Sequence, residues 1–372
     1  MTHIIMTSNT SWYLANFLER TIRRLIERGD HITVLACEDH KSEALVNMGC
    51  TFVPLDLSRK GISIRADVKL LLDFIKIFRD HEPDLVMTFT IKNNIFGAFA
   101  ARYLAIPVLP TISGLGTVYV KRNLITRLVT LLIRLSMRPL PKIILMNSSD
   151  RKLLTGLGAI CDRSVVQISS SGIDLNHFSQ VPLPVGPTRV FLMHTRLLWH
   201  KGVAQLAEAS RRLKDEGLDV RCQLLGFVDV DDALAVDQAS LDAWDKEGVL
   251  EFIGKNDDVR PAITSAHCIV LPSYYREGVP RSLLEGGAMG RPLITTNTPG
   301  CRCAVDVEET GFLCKPQDVE TLSDCMRQIA TMDDRDLAEM GAASRAKMVR
   351  KFDDEAVILN YLSSVDYLIR PV

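Results

Sequence analysis

Short, unbroken apolar runs alternate with stretches of helical period along nearly the whole of this chain. That alternation most restricts what it can fold into. Residues 3–8, 31–36, 50–55, 84–89, 108–113 and 142–147 read as buried strands, and 12–28, 66–81 and 93–103 carry helical spacing between them. A strand with no polar face needs cover on both sides, and a helix between successive strands supplies the crossover that parallel pairing requires. The class is therefore α/β, a parallel sheet with helices on both faces. A second series starts near Thr188, with strands at 190–193, 220–225, 250–253, 268–271 and 292–296, a helix at 203–214, and helix throughout after residue 316. At 372 residues the chain suits two such domains. The proline-rich stretch 181–187 reads as their linker. This gives an N-terminal domain over 1–180, a C-terminal domain over 188–352 and a last helix over 353–372.

Several classes of function are excluded early. No G-x-G-x-x-G follows the first strand, where Ser8-Asn9-Thr10-Ser11 stands instead, which argues against a dinucleotide-binding dehydrogenase. A net charge of −1 gives no bulk affinity for nucleic acid. The nine cysteines are scattered, several in strand-like runs, as buried thiols in a reducing compartment would be. Cys301 and Cys303 are too close for a usual zinc pair and have no second pair, so no metal site is expected. The first residues lack the basic leader of a signal peptide, and no run of about 20 apolar residues marks a membrane span.

The chemistry concentrates in residues 272–300. An apolar run enters this stretch and another leaves it, with a short helix between that Pro280 can open from the first helical position. Glu277 lies in the turn before that helix and Glu285 in its body, with seven residues between them. Gly278, Val279 and Pro280 form a turn that bares N–H groups at a helix start, where anions are attracted. A carboxylate beside such a turn should face hydrogen-bond donors, and sugar hydroxyls are donors. Upstream, in 194–202, Arg196 and Lys201 flank a strand end before Gly202 starts a helix; two cations there suit a diphosphate, although alone they also fit a solvated surface.

The stretch 272–300 resembles the donor-site motif of the family-4 retaining glycosyltransferases. The resemblance covers essentially the whole chain. Residues 171–178 look like the family's interdomain Gly-Val-Asp turn, and 298–302 like its loop after the donor helix. It implies a GT-B type fold, two Rossmann-like domains facing each other across a cleft, with the last helix returning to the first domain. By position, Arg196 and Lys201 resemble the cations on the donor diphosphate, where they would stabilise the departing nucleoside diphosphate. Glu285 resembles the acceptor of the ribose hydroxyls. Glu277 resembles the residue that holds the donor hexose and supports catalysis electrostatically. Gly278, Val279 and Pro280 resemble the turn at diphosphate and sugar, and uracil is expected near Lys255. The donor is a UDP-sugar, a substrate; no cofactor and no metal are implied.

Residues 198–203, 113–116 and 275–280 are similar to a narrower group, bacterial enzymes that add N-acetylhexosamine to undecaprenyl-diphosphate-linked sugars, the α-1,3-N-acetylgalactosaminyltransferases among them. The implied reaction is retaining transfer of a hexosamine to a polyprenyl-diphosphate-linked saccharide. Transfer of glucose, galactose or N-acetylglucosamine from its UDP-sugar in O-antigen, capsule or exopolysaccharide synthesis stays open, as do a sugar-nucleotide epimerase and a non-catalytic scaffold. The chain departs from the family at Cys303, where glutamate is usual, and at Gly286-Gly287, two poor helix formers.

The acceptor side is read from the first domain. Lys92 follows a strand end and is a candidate for binding the acceptor diphosphate or the reacting sugar; Ser113 and Gly114 form a strand-end loop whose glycine lets backbone approach substrate. Residues 85–149 contain no Asp or Glu but hold Lys92, Arg102, Lys121, Arg122, Arg127, Arg134, Arg138 and Lys142. Arg127, Arg134 and Arg138 fall on one face of a helix otherwise covered by leucines. The segment 121–142 therefore reads as a basic amphipathic helix on an anionic membrane surface. The expected location is the cytoplasm, peripheral on the cytoplasmic face of the inner membrane.

Overall fold

A computed structural model of the chain describes all residues except 57–62, 116–118, 120–123, 229–231, 233, 276–277 and 370–372. It divides into unit 1, Met1–Gly172 with Glu355–Val372, and unit 2, Ile173–Asp354.

In unit 1 the strands among the described residues are β1 (His3–Thr10), β2 (His31–Cys37), β3 (Thr51–Pro54), β4 (Leu85–Phe89), β5 (Val108–Ile112), β6 (Ile143–Leu145) and β7 (Val165–Gln167). They form one parallel sheet in the order β3-β2-β1-β4-β5-β6-β7. The helices are α1 (Ser11–Phe17), α2 (Glu19–Glu27), α3 (Ser42–Asn47), α4 (Ile64–His81), α5 (Ile91–Tyr103), α6 (Leu124–Met137) and α7 (Ser148–Gly156). Side chains alternate across a strand, and so does the core. Ile5 and Val86 pack on one face with Phe74 and Phe78 of α4, whereas Ile4, Met6, Leu85 and Met87 pack on the other with Leu14, Ile22 and Leu25. The helix expected over 12–28 is two helices, because Leu18, buried between them, leaves helical geometry at φ −129°, ψ 8°.

Unit 2 repeats the plan. Its strands are β8 (Arg189–His194), β9 (Val220–Leu225), β10 (Glu251–Phe252), β11 (Cys268–Leu271), β12 (Leu293–Thr296) and β13 (Gly311–Cys314), parallel in the order β10-β9-β8-β11-β12-β13. Its helices are α8 (Val203–Asp215), α9 (Gln238–Glu247), α10 (Arg260–Thr264), α11 (Arg281–Ala288), α12 (Val319–Thr331) and α13 (Asp334–Phe352). The edge strand β13 is absent from the sequence expectation. The last helix, α14 (Asp354–Ile369), sends Val357, Tyr361 and Val365 into the core of unit 1.

The boundary between units falls at Gly172, not at 181–187. The physical reason is a pair of arginines. Arg291, fully buried, donates to the carbonyls of Val181 (2.9 Å), Pro182 (2.8 Å), Ile263 (3.0 Å) and Thr264 (3.1 Å). Arg345 donates to those of Phe178 (2.7 Å) and Leu175 (3.1 Å). Proline-rich backbone that looks unattached in sequence is thereby tied into unit 2.

Candidate functional site

In a doubly wound sheet, ligands bind beyond the carboxyl ends of the two adjacent strands whose connections run in opposite directions. In unit 2 those strands are β8 and β11. The loop after β8 bears Arg196 and then a single 3-10 turn, Trp199–Lys201. The loop after β11 is fastened to it: Tyr274 N–H donates to the His200 carbonyl at 3.0 Å, and the Ser273 hydroxyl to the same oxygen at 3.3 Å. Gly202 makes this closeness possible. It sits at φ +89°, and a Cβ there would lie 2.3 Å from the Pro272 carbonyl oxygen. Lys201 is buried in the turn, and Arg196 is exposed.

From the β11 loop the chain enters α11. Pro280 is its N-cap, at φ −65° and ψ 133°, one position before the first helical residue where the sequence puts it. Gly278 and Val279 are half-buried, and Glu277 lies outside the described residues. One turn into α11, Glu285 points back at the end of β8. Its Oε2 accepts from His194 Nε2 at 3.1 Å and its Oε1 from Arg281 Nε at 3.1 Å. Its side chain is only 12% exposed. Burial pushes the Glu285 carboxyl up, but the His194 hydrogen bond and the Arg281 charge outweigh it and hold the group at about 2, a permanent anion near neutral pH.

The two glycines after Glu285 have a packing reason. A Cβ on Gly286 would lie 2.2 Å from Ile269 Cγ1, and one on Gly287 2.9 Å from Met348 Cε. Helix α11 thus presses against β11 on one side and α13 on the other, and their poor helix propensity is the cost of bringing Glu285 to the strand end. Lys255, in the loop three residues after β10, is exposed, 4.0 Å from Asp257 and over the Phe227 ring at 5.6 Å. The site therefore joins Arg196, Lys201, Pro280 and Glu285 through contacts of β8, β11 and α11. His194 and Arg281 belong to it and are absent from the sequence expectation. The one hint in the sequence is an imidazole directly after the apolar run 190–193.

In unit 1 the corresponding strands are β1 and β4. Lys92 is not a free cation here. Its Nζ lies 2.8 Å from Asp67 Oδ1, both side chains are less than one-fifth exposed, and the charge expected for an acceptor diphosphate is already matched. Ser113 hydrogen-bonds the Tyr13 phenol, and Gly114 beside it is half-buried. The sequence reading missed Asn9, Thr90 and Asn93. Asn9 Oδ1 accepts from Thr90 Oγ1 (2.8 Å) and Asn93 Nδ2 (2.7 Å), and Thr90 adopts φ +68°, ψ 151°, a conformation costly for any residue but glycine.

Of the basic residues in 85–149, Arg102 donates to the Leu135 carbonyl (2.6 Å) and Lys142 lies over the Tyr367 ring (4.6 Å). Lys121 and Arg122 lie outside the described residues. Helix α6 buries Thr126, Ile133, Ser136 and Met137 and exposes Leu124, Leu128, Leu131 and Leu135 beside Arg127, Arg134 and Arg138. No described helix is long and apolar enough to cross a membrane. Among the described residues no three His, Cys, Asp or Glu side chains are grouped to hold a metal ion.

Residues 177–347 match the family of glycosyl transferases group 1, and residues 3–148 the glycosyl transferase 4-like family. The chain is 26% identical, over 94% of its length and 95% of the relative's, to the N,N'-diacetylbacillosaminyl-diphospho-undecaprenol alpha-1,3-N-acetylgalactosaminyltransferase of Campylobacter jejuni. It is 25% identical, over 79% of its length and 78% of the relative's, to the UDP-Gal:alpha-D-GlcNAc-diphosphoundecaprenol alpha-1,3-galactosyltransferase of Escherichia coli. Its fold is similar to that of Anabaena HepE, solved with UDP and glucose, with a TM-score of 0.79 at 16% identity over 98% of this chain and all of that one. A glycosyltransferase from Rickettsia africae matches at the same TM-score and identity, over all of this chain and 99% of its own.

Proposed function

Because residues 177–347 match the glycosyl transferases of group 1 and residues 3–148 the glycosyl transferase 4-like family, on the GT-B fold of two Rossmann-like units, we propose that this chain moves a hexosamine, N-acetylgalactosamine, from its UDP-sugar to a polyprenyl-diphosphate-linked saccharide, with retention and without a metal. The observation that carries this reading is the ionised Glu285 held at the crevice of β8 and β11, beside the loop of Arg196 and Lys201. A fixed anion suits the paired hydroxyls of a ribose, and it would repel a phosphate. The two cations suit the diphosphate. The Campylobacter and Escherichia relatives, both named for undecaprenyl-diphosphate-linked acceptors, support the acceptor class.

In this reaction the bond from the sugar C1 to the UDP oxygen breaks, and a bond from C1 to the acceptor hydroxyl oxygen forms on the same face. The acceptor proton passes to an oxygen of the departing diphosphate. Arg196 and Lys201 stabilise the charge that accumulates there. Glu277 positions the hexose, while Lys255, Gly278, Val279 and Pro280 line the donor side. The acceptor saccharide meets the neutral polar groups of unit 1, Asn9 and Ser113 with Gly114, while the buried Asn93 holds Asn9 in place. Helix α6 rests on the anionic cytoplasmic face of the inner membrane, where such an acceptor resides.

The test is a screen of UDP-sugars with a synthetic polyprenyl-diphosphate saccharide, read by UDP release and by the anomeric configuration of the product, with and without EDTA. Glu285→Ala should weaken UDP binding by about 10- to 100-fold, the range for losing hydrogen bonds to a charged group. Glu277→Ala should lower turnover and leave UDP affinity within about 3-fold, a shift under 1 kcal/mol. Equal losses of UDP affinity in both variants would overturn the division of roles. UDP release without acceptor, accompanied by an epimerised sugar, would overturn the transfer reaction.

A further inference from the structure

His194 is the last residue of β8 and 5% exposed. The strand positions before it, Val190, Phe191, Leu192 and Met193, are apolar and packed in or against the core of unit 2. An imidazole at the end of such a strand needs a reason. Its Nε2 lies 3.1 Å from Glu285 Oε2, and an ionised carboxylate only accepts, so Nε2 carries the proton. Its Nδ1 is buried with no hydrogen-bond partner among the described residues. Buried polar atoms are paired in the great majority of cases, and an unpaired one lowers stability. A strand end filled by valine or methionine would avoid that penalty. The residue therefore carries a loss on one nitrogen that only a directed bond from the other offsets.

The direction of that bond has a consequence for the carboxylate. Arg281 takes Oε1 from within α11, one turn back along the same helix, and His194 takes Oε2 from the sheet. A donor on each oxygen fixes the plane of the group and leaves one lone pair on each oxygen for a further donor. The presentation fits two adjacent hydroxyls. Arg281 alone, 27% exposed and on a long side chain, restrains one oxygen only.

We propose that His194 is a positioning residue of the donor site: its Nε2–H, bonded to Glu285 Oε2, orients the carboxylate for the vicinal hydroxyls of a nucleotide ribose. This rests on the reading of Glu285 as the ribose-binding residue, and the test separates the two. UDP and 2′,3′-dideoxyuridine diphosphate are titrated calorimetrically into the full chain as wild type, His194→Met and His194→Gln. Methionine fills the space without a donor, whereas glutamine places an amide N–H near the position of Nε2. Wild type should favour UDP over the dideoxy compound by at least about 10-fold. His194→Met should reduce this preference to within about 3-fold by weakening UDP alone, and His194→Gln should restore most of it. A wild-type preference that survives intact in His194→Met overturns the role of His194 and leaves the Glu285 reading standing. A wild type without preference overturns the Glu285 reading and the positioning role together. Should His194→Met not fold, the wild type labelled with 15N at histidine decides. A protonated Nε2 whose resonance moves with UDP but not with the dideoxy compound supports the proposal, and an unprotonated Nε2, or equal movement with both, overturns it.

Discussion

Glu285 is an anion in a place that burial alone would keep neutral. Its folded-state value of about 2 lies below the ordinary 4.5, so its ionisation contributes stability in full above pH 4.5, and that contribution is lost as pH falls towards 2. The size is about 3 kcal/mol. Comparing urea unfolding of wild type and Glu285→Gln, the stability difference should be constant from pH 7 to 5 and shrink steadily from pH 4.5 to 3. A difference that does not change over that lower range would show that the carboxylate gains nothing from its donors. At this scale the sequence could place Arg196, Lys201 and Glu285 near one another, because a strand end and a helix of recognisable pattern carry them. His194 was silent because its partner lies 91 residues away, and only the pairing of sheet and helix brings them together. Lys92 misled for the converse reason: the sequence displays its charge, whereas the matching Asp67 is supplied by α4.

At the scale of elements, the central strands were legible because they are buried on both faces and so carry no polar alternation; β4 and β5 are buried along their whole length. The edge strand β13 was not. It is four residues long, begins at a glycine at φ +148° and follows a turn that resembles any loop. The 181–187 stretch misled because composition records proline but not the arginine beneath it. Arg291 is held below its usual range, at about 10, by burial, and five donated bonds to carbonyls compensate it among the described residues. Arg291→Met should destabilise unit 2 by about 3–5 kcal/mol, the range for an emptied buried polar network, seen as a lowered thermal midpoint. An unchanged midpoint would mean that the carbonyls find other partners.

Helix α6 makes a second claim on this scale. With its packed side fixed by Ile133 and Met137, the helix leaves Leu124, Leu128, Leu131 and Leu135 exposed over roughly half or more of their surface, beside the exposed Arg127, Arg134 and Arg138. Each arginine near an anionic bilayer adds about 1 kcal/mol, and the leucines add their buried area. Cosedimentation with vesicles rich in anionic lipid should fall at least about 10-fold when Leu128, Leu131 and Leu135 are changed together to serine, and should fall with added salt when they are intact. Binding that resists both changes would remove α6 from the membrane contact.

On the scale of the whole molecule, unit 1 is written in two pieces and unit 2 in one. The ends of unit 2 also meet. The Ile173 N–H donates to the Phe352 carbonyl at 2.9 Å, and the Asp354 N–H to the Ile173 carbonyl at 3.3 Å. A fragment of residues 173–354 should therefore fold alone and retain UDP binding, testable by calorimetry and a cooperative melt; a fragment without a melting transition would contradict this.

Tyr361, fully buried, gives the same layout a meaning in time. Its ring stands 6.4 Å from Phe89, and its hydroxyl donates to Thr111 Oγ1 at 3.3 Å, in the core of a sheet whose last strand ends at Gln167. As the chain emerges from a ribosome, that sheet is complete long before its covering helix exists, and the whole of unit 2 must be made in between. The growing protein thus passes through a stage with one finished half and one half whose apolar flank is bare. Arrested or truncated products ending near residue 353 are the forms a chaperone would bind and a protease would cut, with the breaks falling in unit 1.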